Sequence, residues 1–218
     1  EARRIAGREH HDVERELQSA HEAHAGLGEP LRPRHHPQLA GLELAQQRGE
    51  LEHHGAEGEL MLGGLYLSYG QHRLAGEIFE RVLAQSVDPE LHDRAWYFLA
   101  KIWHQRGYLN EAEAALARIV GELPEELEPE RRMLTAQVLM DQGRFAEALT
   151  ALESWRRPSD AWVGYAKYNV GVSLVRLGQV EAGAKVLDEV GQLDPENPEL
   201  DALRDKANVA LGFAALQA

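Results

Sequence analysis

The chain has 218 residues, 44% of them apolar, enough for an ample core, and no apolar run approaches the roughly 18 to 20 residues of a membrane helix. Its 36 acidic and 23 basic residues give a formal charge of -13, which repels phosphate backbones and argues against nucleic acid as a partner. The absence of cysteine excludes disulfides, thiolate zinc sites and thiol nucleophiles, and it leaves the compartment, periplasm or cytoplasm, open.

Residues 1–55 differ in composition from the rest of the chain. They contain no Lys, Asn, Thr, Met or aromatic residue, yet they hold eight of the eleven histidines. Two helices are predicted, about 8 to 25 and about 38 to 53, because Pro30, Pro33 and Pro37 interrupt the stretch between them. Ala40 and Leu44 fit the second helix of a degenerate repeat. The alternative is that the segment is not native sequence, for example a misread frame in a GC-rich gene.

The histidines of this segment invite a metal-site interpretation. They come as His10 with His11, His21 with His24, His35 with His36, and His53 with His54. A zinc site needs three or four ligands that converge, and adjacent side chains on a helix point about 100° apart, so each doublet offers one useful ligand at most. The doublets also share no common spacing. We therefore predict solvated histidines, no metal and no cofactor.

From residue 56 onward the chain repeats. Four glycines recur at intervals of 37, 36 and 35 residues, and each is followed five residues later by a small residue. The glycines are Gly70, Gly107, Gly143 and Gly178, and the small residues are Ala75, Ala112, Ala148 and Gly183. Bulkier apolar residues follow nine and twelve positions after each glycine, at helical spacing: Phe79, Leu116, Leu152 and Leu187, then Val82, Ile119, Trp155 and Val190. Each unit is predicted as helix, glycine turn, helix.

The predicted units span about 56–92, 93–128, 129–163 and 164–197, with a partial unit at 198–218. Such a unit cannot bury its own apolar stripe, so it must stack on its neighbours. In the last helix, Leu211 and Gly212 reproduce the pair Leu62 and Gly63. We expect the chain to stop halfway through a fifth repeat and to leave an apolar surface formed by Val209, Leu211, Phe213 and Leu216.

The second unit resembles a tetratricopeptide repeat. The residues that carry the resemblance are Trp96, Leu99, Ala100, Trp103, Ala112, Leu116, Ile119 and Pro124. The fourth unit departs from the pattern with Lys167 where the family favours Trp. The resemblance implies an all-α fold, a right-handed α-solenoid of antiparallel helix pairs, over about residues 56 to 216. It also implies protein or peptide partners, since the family mostly binds proteins.

The same resemblance implies that the concave groove is lined by the first helix of each unit. Carried onto this sequence, the inward positions of the first unit are Leu60, Gly64 and Leu67. The peptide-binding residues predicted in the next three units are Tyr97, Lys101, His104, Met133, Gln137, Met140, Tyr168, Val172 and Val175. Family members that grip a terminal carboxylate do so with Lys and Asn, and here Tyr97 and Tyr168 stand in the Lys slots. That activity is therefore not predicted.

No catalytic motif is present: there is no phosphate loop, no His-Glu-x-x-His helix and no Gly-x-Ser-x-Gly elbow. The acidic run from Glu125 to Glu130 begins directly after Pro124 and is interrupted by Pro129, so it is predicted as an exposed, solvated connector. The sequence thus predicts a non-catalytic scaffold that binds a peptide or protein segment in its groove. The alternative is a structural subunit that self-associates or docks on a neighbouring domain through helix 198–216, using Val209, Phe213 and Leu216.

Overall fold

The structure, a computed structural model, describes residues 55–155, 160–194 and 196–217. These residues belong to one compact part of the chain, Leu44–Ala218. The two helices predicted before residue 54 and the four histidine pairs lie outside the described residues. The boundary predicted at residue 55 therefore stays a prediction.

Within the described ranges the chain is all-helical, with nine α-helices and no strand, which confirms the predicted fold class. The helices are α1 Gly55–Ser68, α2 His72–Gln85, α3 Pro89–Gln105, α4 Leu109–Leu116, α5 Glu128–Asp141, α6 Phe145–Glu153, α7 Asp160–Arg176, α8 Val180–Gly191 and α9 Asp201–Gln217. A short 3-10 helix, Pro198–Leu200, precedes α9. Helices α1 to α8 form four antiparallel pairs, here repeat units 1 to 4. Each pair also packs against the first helix that follows, so the units stack as a helical repeat solenoid.

The four predicted turn glycines end the first helices in the same way. Gly70, Gly107, Gly143 and Gly178 have φ between 72° and 79°, a left-handed conformation that costs glycine little. In unit 1 the N–H of Gly70 donates to the Leu67 carbonyl and the N–H of Gln71 donates to the Tyr66 carbonyl, the Schellman pattern, which recurs in the other three units. A Cβ at these glycines would meet no described atom within 4 Å, so backbone conformation, not crowding, requires them.

The small residues predicted at the helix crossings are required by crowding. A Cβ at Gly183 would lie 2.7 Å from the Gly171 carbonyl oxygen and 2.6 Å from Val175 Cγ2. Ala75, Ala112 and Ala148, which hold the same place in units 1 to 3, are fully buried. The two helices of each unit therefore approach closely at this one position.

The second helices of units 2 and 3 are shorter than predicted. Helix α4 ends at Leu116 and α6 at Glu153, so Ile119 and Trp155 lie in the connectors that follow and not on a helix. After α4 the reason is the Asp93 carboxylate, only 7% exposed, which accepts hydrogen bonds from the N–H groups of Val120 at 3.0 Å and Gly121 at 2.7 Å. After α6, Trp155 packs instead against Trp162, with ring centroids 6.5 Å apart.

The acidic run is only partly the exposed connector that was predicted. Helix α5 begins at Glu128, with Pro129 in its first turn, where a missing N–H costs nothing. Glu125 and Glu126 are exposed, but Glu128 and Glu130 are half-buried and paired. The prediction was wrong for these two carboxylates because Glu128 pairs with Arg131 and Arg132 one turn further along α5, and Glu130 pairs with Lys101 of α3.

Candidate functional site

The residues predicted to line the groove form three rows along the first helices, with one residue from each unit in every row. Row A consists of Leu60, Tyr97, Met133 and Tyr168. Row B consists of Gly64, Lys101, Gln137 and Val172. Row C consists of Leu67, His104, Met140 and Val175. We call the surface formed by these three rows the first-helix face.

Row A is buried. Its four residues are between 1% and 8% exposed and belong to the apolar clusters that run along the array. Tyr97 of α3, for example, packs with Leu134 and Val138 of α5, which joins unit 2 to unit 3. Burial raises the pKa of Tyr168 to about 12, so its phenol is protonated at neutral pH. In this structure, row A residues act mainly as packing between units.

Row C is also largely buried, whereas row B is accessible. Leu67, Met140 and Val175 lie in the core, and His104 is half-buried. All four residues of row B are half-buried, so row B, here called the strip, is more exposed across units 1 to 4 than row A and most of row C. Val172 also packs on the clusters that contain Tyr168 and Met140. Of the nine predicted binding residues, the structure leaves these partly accessible: Lys101, His104, Gln137 and Val172.

A shared carboxylate bridges units 2 and 3 on this face. Glu130 Oε2 accepts a hydrogen bond from the Tyr97 hydroxyl at 2.5 Å and lies 3.3 Å from Lys101 Nζ. Burial and the neighbouring Glu130 raise the pKa of Tyr97 well above its usual value, which keeps the phenol a donor. Glu130 was missed as a member of the site because the sequence placed it in an exposed acidic run. A signal was available, since it stands on the first helix of unit 3 one turn before Met133.

Two further contacts between a basic side chain and a carboxylate link units across the same face. His104 Nε2 lies 2.7 Å from Asp141 Oδ2, and the two side chains are only 11% and 18% exposed. Arg94 of α3 pairs with Glu57 of α1 at 2.8 Å. The three basic side chains that α3 presents here, Arg94, Lys101 and His104, are therefore each paired with a carboxylate from a neighbouring unit.

Gln137 and Gly64 differ from these paired residues. The Gln137 side chain makes no hydrogen bond to any residue in the described ranges, although it is half-buried. A Cβ built at Gly64 would have no described neighbour within 4 Å. Among the described residues, row B thus offers a neutral amide without a hydrogen-bond partner at unit 3 and no side chain at unit 1.

A second polar network lies at the turn edge between units 2 and 3. Gln142 Nε2 donates to Glu113 Oε2 at 2.9 Å, and Arg144 Nη1 donates to Glu113 Oε1 at 2.6 Å. These hydrogen bonds, from Gln142 and then from Arg144, hold the pKa of Glu113 below its usual range. A shallow cleft of about 520 Å³ opens beside them, lined in part by Tyr108 and Glu111. This network was not predicted, because it joins residues about 30 positions apart in the sequence.

Only part of the apolar surface predicted on the last helix is exposed. Val209 and Leu216 are 53% and 80% exposed. Phe213 is half-buried, and Leu211 packs on the cluster that contains Leu203. The exposed patch is therefore narrower than four residues.

Nothing in the described ranges forms a metal-ligand cluster of three or more His, Cys, Asp or Glu side chains. No helix of the described part is both long enough and apolar enough to cross a bilayer. Apart from Gln137, the polar side chains described above on the first-helix face form hydrogen bonds and ion pairs between units, which hold neighbouring units together.

Comparison with known proteins agrees with this architecture. Two sequence models, each described as tetratricopeptide repeat, match residues 66–138 and 133–198, which together cover more than half of the chain. Comparison with curated proteins gave no match. Among solved structures, one similar fold is the crystal structure of YrrB, described as a TPR protein with an unusual peptide-binding site, with a TM-score of 0.56 and 23% identity over 77% of this chain and 84% of that one. The chain therefore belongs to the tetratricopeptide repeat family, whose helical arrays are protein-interaction scaffolds.

Proposed function

We propose that this chain is a non-catalytic scaffold that binds a peptide or protein segment along row B of the first-helix face. The observation that carries the proposal is the contrast among the three rows. Row B is half-buried and partly accessible in all four units, while row A and most of row C are filled by the protein's own packing. A strip of this kind suits an extended segment that touches one side chain per unit.

The predicted residues divide into two roles under this proposal. Lys101, Gln137 and Val172 contact the bound segment, with His104 at the edge of the strip. The buried residues form its floor: Tyr97, Met133, Met140, Tyr168 and Val175. Their large side chains keep the first helices in register, which spaces the contacting side chains evenly.

A binding role also accounts for the state of the basic groups better than catalysis does. General acid–base chemistry needs a titratable group that can reach a reacting atom. Here His104 and Lys101 are each engaged with a carboxylate of the next unit. The likeness to YrrB, which is described as having a peptide-binding site, supports the same interpretation at the level of fold.

The test is selection of short peptides from a displayed random library on the full chain, followed by fluorescence anisotropy with the selected peptides. Val172→Arg should weaken binding at least about tenfold, which corresponds to about 1.4 kcal/mol. Ala182→Arg is the matched control, because Ala182 is exposed on α8 and away from the first helices. Equal binding by the Val172 variant, or failure to select any peptide, would overturn the proposal.

A second candidate function is self-association through α9. It is favoured by the exposure of Val209 and Leu216 on that helix. Light scattering should then give a mass above 24.4 kDa that falls to the monomer value when Phe213 and Leu216 are both changed to Glu. A monomeric parent chain contradicts it.

A further inference from the structure

We infer that the segment bound by row B is uncharged, with neutral polar and apolar side chains facing the strip. This inference rests on the proposed function and specifies its partner. It is argued from the charges of the first-helix face, because a binding strip that selects an acidic or basic partner needs charges that its own fold has not already paired.

The basic groups beside the strip are already paired. Lys101 lies 3.3 Å from Glu130, His104 lies 2.7 Å from Asp141, and Arg94 lies 2.8 Å from Glu57. An acidic segment would have to displace these carboxylates, and it would exchange one partly buried ion pair for another with little net gain. It would also approach a chain whose formal charge is -13.

A basic segment meets the opposite difficulty. The carboxylates that it would seek, Glu130, Asp141 and Glu57, each already have a basic side chain of α3 as a neighbour. Glu130 also accepts the Tyr97 hydroxyl, so removing it from this position would leave a buried phenol without its acceptor. The strip therefore gives neither sign of charge an unpaired partner.

The groups that remain unpaired are neutral. The Gln137 amide can donate and accept at once, which matches the N–H and C=O of an uncharged polar group. Val172 adds a partly accessible apolar contact at unit 4. At unit 1, no described atom lies within 4 Å of a Cβ built at Gly64, which leaves room there for a partner side chain. From unit 1 to unit 4, row B therefore consists of a glycine without a side chain, a lysine paired with a carboxylate, a neutral amide and an apolar side chain.

The test uses the full chain and three labelled pools of random peptides of equal length. One pool contains uncharged residues only, one is enriched in Asp and Glu, and one is enriched in Lys and Arg. We expect the uncharged pool to bind most tightly, with an affinity that changes less than about twofold between low and high salt, since screening acts on unpaired charges. Tighter, salt-sensitive binding of either charged pool would overturn the inference while leaving the proposed function standing. Binding of none of the pools would count against the proposed function itself.

Variants of Gln137 sharpen the test. Gln137→Ala should weaken binding of the uncharged pool about tenfold. Gln137→Lys should weaken it too and should create binding of the acidic pool that the parent chain lacks, whereas Gln137→Glu should do the same for the basic pool. Circular dichroism establishes that the variants fold, and Ala182→Lys on α8 is the control. An Ala variant that binds all pools as the parent does would overturn the role given to Gln137.

Discussion

Helices α2 and α4 occupy the same place in units 1 and 2, yet α2 has 14 residues and α4 has 8. The two units are offset by 37 residues, so Asp93 corresponds to Ala56 and Gly121 corresponds to Ala84. Ala84 is still helical, whereas Gly121 lies in the connector. In unit 2, one carboxylate on the first helix thus accepts the backbone donors that a longer second helix would use.

The physical reason is competition for backbone donors. If α4 continued as α2 does, the N–H groups of Val120 and Gly121 would donate to carbonyls four residues earlier. Asp93 instead accepts both at short distance, and as a charged acceptor it makes the stronger hydrogen bonds. Unit 1 has an alanine at this position, so nothing diverts its helix.

The largest expected effect concerns the buried alanine at the helix crossing, which units 1 and 2 have in common. Ala112→Arg places a long charged side chain at the buried crossing of α3 and α4, and we expect a loss of about 3 to 5 kcal/mol in the free energy of unfolding. Ala75→Arg in unit 1 should cost a similar amount. Thermal and urea denaturation measure both. A variant that melts like the parent would show that the assigned register is wrong.

Removing the Asp93 carboxylate, which unit 2 has and unit 1 lacks, should lower the free energy of unfolding by less. Asp93→Ala leaves two N–H groups without their charged acceptor, and we expect a loss of about 2 kcal/mol, with faster hydrogen exchange at Val120 and Gly121. Asp93→Asn, which keeps a neutral acceptor, should lose less. Unchanged exchange at both amides in the Ala variant would contradict this account of the end of α4.

Adding a methyl group to the connector tests the same contact from the other side. A Cβ at Gly121 would lie 2.8 Å from Asp93 Oδ2, so Gly121→Ala should cost about 1 kcal/mol. Gly76→Ala is the control, because a Cβ there has no described neighbour within 4 Å. Since alanine favours a helix more than glycine does, this change in α2 should leave the free energy of unfolding unchanged or raise it. In an Asp93→Ala background the cost at Gly121 should vanish. Simple additivity of the two changes would contradict direct contact.

The smallest effect is expected where the connector ends and α5 begins. Burial alone would raise the pKa of Glu128, but hydrogen bonds and charge from Arg131 and Arg132 outweigh it and hold the pKa below its usual range. The ionised carboxylate therefore stabilises the fold above its unfolded pKa of about 4.3, and this stabilisation is lost as the pH falls through the folded pKa. Glu128→Gln should cost about 1 kcal/mol at neutral pH and almost nothing in acid. An equal cost at both pH values would contradict it.

Equivalent positions in different units also make different kinds of contact. In three units a residue of the first helix contacts a residue 22 positions later, on or just after the second helix. The pairs are Glu59 with Arg81, Trp96 with Arg118, and Lys167 with Glu189. Two are ion pairs of opposite polarity and one is a cation–π contact. Lys167, which departs from the family pattern, thus replaces the cation–π contact of Trp96 with an ion pair at the equivalent position.

Much of the fold could be predicted from the sequence because its signals are local. The turn glycines need a positive φ, and the small residues recur at the distance of one helix crossing. The candidate site was predicted less well. The residues predicted to line the groove lie on the first helices, but Tyr97, Met133 and Val175 are buried there, and the contact of Glu130 with Tyr97 was not predicted.

The sequence by itself determined the repeat, its period, the helical class of the described ranges and the positions of the four glycine turns, since each depends on one residue's backbone preference or on spacing along one helix. Only the tertiary structure decided where α4 and α6 end, which row of the first-helix face stays open and which charges are paired. Those features depend on distances between residues of neighbouring units, and such distances are set by how the units pack on one another.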